Sequence, residues 1–138
     1  MNPILTPVLA LIAWSLLVWL WMYATRIPAM QKAGIDPQDA AHPGSLSALP
    51  SQVRAVADNY NHLMEQPTIF YALAFYLHLS GHADSLNVTL AWAYVATRVI
   101  HSLVQNTANI VALRFLIFTG STLVLAAMVC RAIWAMVF

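Results

Sequence analysis

Two polar stripes run through stretches that are otherwise apolar. Arg54, Asp58, Asn61 and Glu65 fall at i, i+4, i+7 and i+11, which is one face of a helix. Tyr94, Arg98, His101 and Gln105 repeat that spacing, and Arg114 opens a further apolar run. Groups of this kind bind charge. Guanidinium forks take carboxylates in bidentate geometry, a carboxylate such as Glu65 takes an ammonium, and Asn and His supply donors and acceptors between them. Arg54, Arg98 and Arg114 set against Asp58 and Glu65 favour a small zwitterion with surplus carboxylates over a cationic ligand. An arginine beside a bound thiol also favours the thiolate, its reactive form.

The elements that must position these groups are membrane spans. The chain has 138 residues, 61% of them hydrophobic and 8% charged, with a mean hydropathy of +0.70. Soluble domains carry roughly a quarter charged residues, and a soluble domain of this length has too little core to hide so much apolar surface. Residues 4–26 form the first span, uncharged until Arg26, with Pro28 beyond it. The run exceeds a signal-peptide core and has no basic segment before it, so it is expected to be retained as a transmembrane helix. Residues 29–51, rich in Pro and Gly, read as a loop. Further spans are expected at 52–79, 87–109 and 113–137. The expected architecture is a single all-α domain over 1–138, a bundle of four transmembrane helices. Arg26, Lys32, Arg54 and Arg114 flank the 29–51 loop and the third connection, whereas the turn after residue 79 has no Lys or Arg. The positive-inside rule then puts the 29–51 loop in the cytoplasm and both termini outside, with Arg131 the one dissenting charge.

Depth brings the stripes together. Glu65 lies 11 residues beyond Arg54, or ~16 Å at the helical rise, and Arg98 sits midway along its own span. Spans two and three are antiparallel neighbours, so an ion pair between Glu65 and Arg98 is expected to floor a polar cleft open to the cytoplasm. The plainer alternative is that the pair fixes helix register and that the asparagines join helices. Other polar residues carry less. His78 and His82 lack a carboxylate partner, so no metal site is expected. Asp36, Asp39 and His42 read as solvated loop residues, Trp14, Trp19, Trp21 and Trp134 as interfacial or lipid-facing aromatics, and the lone Cys130 as a small apolar residue. The scattered basic residues make no nucleic-acid surface.

In RAVADNYNHLMEQPTIFYAL (residues 54–73), TRVIH (97–101) and Arg114, the chain resembles the MAPEG family, membrane-associated proteins in eicosanoid and glutathione metabolism. The wording from Asp58 to Tyr71 resembles a bacterial branch, which implies an inner-membrane location. The resemblance covers most of the chain. It implies four-helix subunits in a homotrimer, with glutathione as cosubstrate between subunits near the cytoplasmic face. By position it implies glutathione contacts at Arg54, Asn61, Glu65, Arg98 and His101, and a thiolate-stabilising role for Arg114. The family pattern is Asn-x-x-Glu; here either Asn61, one residue too far from Glu65, or His62 takes the asparagine place, and Gln105 stands where a tyrosine often faces the thiol. Asn59 lies about 200° around the helix from Asn61 and cannot share its face. The function implied is a glutathione-dependent transferase or peroxidase acting on hydrophobic electrophiles or lipid peroxides from the bilayer. The alternatives are a non-catalytic protein whose polar cluster serves helix and trimer packing, and a proton-coupled exporter with Glu65 as carrier, which the expected ion pair with Arg98 disfavours.

Overall fold

The computed structural model describes residues 3–42 and 44–138. Met1, Asn2 and Pro43, the last within the expected 29–51 loop, lie outside the described residues. The chain forms α1 (Leu5–Ala33), α2 (Ser51–Leu63), α3 (Pro67–Leu79), α4 (Ser85–Asn106) and α5 (Val111–Val137). Helix α4 packs against α5, α1 and α2, while α1 also meets α2 and α3, and α3 meets α5.

Burial follows a heptad-like spacing of alternating three and four residues, the pattern of near-parallel helices. In α1 it runs Val8, Leu11, Ser15, Val18, Met22; in α5 it runs Ser121, Leu125, Met128, Ala132. The other faces of these helices expose Leu9, Leu16, Leu17, Leu20, Leu116, Leu123 and Trp134, an apolar belt that belongs against lipid or another subunit. At 29 and 27 residues, α1 and α5 are long and apolar enough to cross a bilayer. Helix α4 is turned inside out. Its buried stripe of Asn87, Ala91, Tyr94, Arg98, His101 and Gln105 is largely polar, and its exposed face carries Leu86, Trp92, Ile100 and Leu103.

Two expected boundaries change. The first helix runs past Arg26 and carries Pro28 inside it, closing only at Gly34, whose φ of 67° is the left-handed cap; Ile35 N–H then bonds back to Met30 O at 3.0 Å. The loop is correspondingly shorter and holds a 3-10 turn at Pro37–Ala40 that Asp36 caps. The second span is two helices instead of one. Pro67 has no N–H to give Leu63 O, and its ring crowds that carbonyl, so α2 ends at Leu63 and α3 starts at Pro67. Between them Met64 and Glu65 N–H groups make tightened bonds to Asn61 O and His62 O. The break puts Glu65 in the joint. Helix α4 begins at Ser85 because Asp84 Oδ1 accepts Asn87 N–H at 2.8 Å. It ends at Asn106, and Asn109, at φ 51°, reverses the chain into α5.

Candidate functional site

At the end of the bundle that holds the 107–110 turn, α2, α4 and α5 line an open-sided cavity of about 560 Å³. Helix α2 and the joint after it contribute Asp58, Asn61, His62 and Glu65; α4 contributes His101 and Gln105; α5 contributes Val111, Arg114, Phe115 and Phe118. The α2 and α4 sides are thus charged and amide-bearing, and the α5 side is apolar and aromatic except for Arg114. The volume falls within the roughly 300–1,000 Å³ of small-molecule sites.

Most of the residues picked out by helical spacing meet here: Asn61, Glu65, His101 and Arg114 are all on the wall, with Asp58 and Gln105 beside them. Two are not. Arg54, in the first turn of α2, is exposed and does not line the cavity. Arg98 is fully buried behind the wall. The wall itself therefore presents one guanidinium, Arg114, against two carboxylates, and the arginine excess read from the sequence does not hold within a single chain.

The expected Glu65–Arg98 ion pair is also absent. Among the described residues the salt bridge present is Arg131–Asp84. Arg98 Nη2 instead lies 2.6 Å from His62 Nδ1, and its guanidinium sits 5.5 Å from the centre of the Phe118 ring. The helix break explains the exchange: Glu65 leaves the helical face at the joint, while His62, one turn earlier, keeps it. Without that pair, the argument that disfavoured Glu65 as a proton carrier lapses. His62 stacks on His101 with centroids 4.9 Å apart and 13° between planes, and Phe118 meets His62 edge-on at 5.1 Å.

Several buried polar atoms around this cluster have no partner: Arg98 Nε and Nη1, His101 Nδ1, Gln105 Oε1, and both amide atoms of Asn106. Each such atom costs about 1–3 kcal/mol when buried and unbonded. Of these, His101 and Gln105 line the cavity, as does Arg114, whose Nε is also unpartnered, and they leave hydrogen bonds for a polar ligand to make. Other unpartnered buried atoms lie away from it, at Trp14 Nε1, Arg26 Nε, Asn59 Nδ2 and His78 Nδ1, and some polar groups join helices. Ser102 Oγ donates to Asn59 Oδ1 at 3.1 Å, and Gln66 links Tyr94 OH (3.1 Å) to Thr122 Oγ1 (3.0 Å). Asn59, Gln66, Tyr94 and Thr122 thus tie helices together.

Helical spacing does not single out His62 as the partner of Arg98, or Phe118 at all. Pro67, two residues after Glu65, was the available signal for the break. Phe118 gave none among so many apolar residues. Among the described residues no group of three or more His, Cys, Asp or Glu side chains is arranged to hold a metal; His78 and His82 form no such group.

A model of the MAPEG family matches residues 4–134, nearly the whole chain. Searches among curated proteins and among solved structures give no match.

Proposed function

The chain belongs to the MAPEG family of membrane proteins, and on that premise we propose that it is a membrane-embedded, glutathione-dependent transferase or peroxidase acting on hydrophobic electrophiles or lipid peroxides. The observation that carries this reading is the two-sided cavity. Asp58 and Glu65 suit the ammonium group of the tripeptide, and Asn61, His101 and Gln105 offer hydrogen bonds to its amides and carboxylates. Arg114 lines the same cavity from α5 and is the group to hold the sulfur as thiolate. Val111, Phe115 and Phe118 give an apolar second substrate a path from the lipid-facing side of α5.

In this reading Arg98 supports the site from behind His62. Arg54 serves only if the cavity is shared between subunits of a homotrimer, where its exposed position on α2 would face a neighbour's ligand. That assembly would also cover part of the apolar belt and restore the surplus of positive charge that an anionic tripeptide requires. The site end, with the 34–50 loop, is taken as cytoplasmic and the membrane as a bacterial inner membrane, following the basic residues near that end.

The test is a conjugation assay on detergent-solubilised protein with glutathione and a broad electrophile, run beside a binding measurement. Arg114→Ala is expected to lower turnover by about 100-fold or more while glutathione binding stays measurable. Unchanged turnover would remove Arg114 from the chemistry.

A second reading has its own support. The Asn59–Ser102 and Tyr94–Gln66–Thr122 bonds join helices, which supports a non-catalytic protein that uses its other polar groups the same way. Thermal unfolding separates the two: a packing role predicts no stabilisation by millimolar glutathione, and a binding site predicts a concentration-dependent rise.

A further inference from the structure

Arg98 is the most buried charge in the chain, yet it does not touch the cavity; His62 stands between them. A guanidinium has donors and no acceptor. The 2.6 Å approach of Nη2 therefore makes His62 Nδ1 the acceptor, and the neutral ring carries its proton on Nε2. The ring is also held in place, stacked on His101 and bordered by the Phe118 edge. Tautomer and ring plane are thus set before any ligand arrives, and the ring's one remaining donor belongs to a side chain on the cavity wall.

We propose that His62 is a ligand-binding residue whose Nε2–H donates to a carboxylate of the bound tripeptide, and that Arg98 is a positioning residue acting through it. The proposal rests on the glutathione reading above and adds a residue to it. Arg98 polarises the imidazole from the protein side, so the Nε2–H becomes a stronger donor without a guanidinium entering the cavity. This also explains why a charge with two unpartnered nitrogens sits behind a histidine instead of reaching the carboxylate on the wall at Glu65.

The test combines binding and spectroscopy on the full chain in detergent. His62→Phe keeps a ring to stack on His101 but removes both nitrogens. It is expected to weaken glutathione binding about ten-fold or more. It should weaken S-methylglutathione equally, because that ligand keeps both carboxylates. His62→Gln, whose carbonyl can accept from Arg98 while its amide donates, is expected to recover most of the loss. In ¹⁵N-histidine spectra, wild-type His62 is expected as the Nε2–H tautomer, and Arg98→Met should release it into a mixture. Wild-type affinity in His62→Phe, a loss seen with glutathione but not S-methylglutathione, no recovery in His62→Gln, or an Nδ1–H tautomer in the wild type would each overturn the proposal. A wild type that binds neither ligand would instead overturn the glutathione reading, and the tautomer spectrum would still decide whether Arg98 sets His62.

Discussion

Arg131 on α5 reaches to α4, Arg98 on α4 reaches to α2, and the two are held in opposite ways. Arg131 Nη2 lies 2.6 Å from Asp84 Oδ2 and its Nε donates to Asn87 Oδ1 at 3.1 Å. Asp84 in turn caps α4, and the Asn87 amide donates to His82 O. The charge that dissented from the positive-inside count is thus neutralised locally, in a half-exposed cluster where each group has a partner. Arg98 is fully buried, has one bond to a neutral ring, and keeps two nitrogens unpartnered beside a cavity. A satisfied cluster fastens α5 to α4. An under-satisfied one is costly to keep in a protein interior, and under the proposal above what it returns is the hold on His62.

That contrast can be broken from either side. The largest effect is expected from Arg98→Met, which fills similar volume without charge. Glutathione binding should weaken ten-fold or more, while the stability of the unliganded protein stays level or rises by about 1 kcal/mol, because an unpaired buried charge has gone. Thermal unfolding with and without ligand measures both; a large loss of stability would show that Arg98 is held for structure. Next comes Ser102→Ala, which strands the fully buried Asn59 Oδ1. A loss of about 1 kcal/mol in unfolding is expected, with glutathione affinity unchanged, since neither residue lines the cavity. The smallest effect belongs to Arg131→Met. Its ion pair is partly exposed, so about 0.5 kcal/mol is expected, again with no change in binding. If Arg131→Met impaired binding as strongly as Arg98→Met, the division into fastening and binding clusters would fail.

Much of the cavity lining could be read from spacing alone. The periods of three and four residues brought Asp58, Asn61 and Glu65 to one wall and His101 and Gln105 to the facing one, because helical geometry converts spacing directly into a shared face. Arg114 was placed by its position at the start of an apolar run. The pairing inside the site was harder to read. Whether Arg98 meets Glu65 or His62 depends on the interruption at Pro67, which shifts one side chain by a fraction of a turn and exchanges the partner. Arg54 shows the limit of the stripe itself: residues can share a face and still lie beyond the end of a cavity. The overrun of α1 past Arg26 and Pro28 has a similar origin. Charge and proline are end signals only where the chain has no better stop, and here Gly34 supplied one.

The central claim is that the under-partnered cluster around the cavity binds glutathione. Isothermal titration of the solubilised wild type with glutathione, with Arg98→Met and Arg131→Met alongside, tests it most directly. The account predicts saturable binding to the wild type and to Arg131→Met with matching affinity, and binding at least ten-fold weaker to Arg98→Met. No binding by the wild type at millimolar glutathione, or equal affinity in all three proteins, would contradict it.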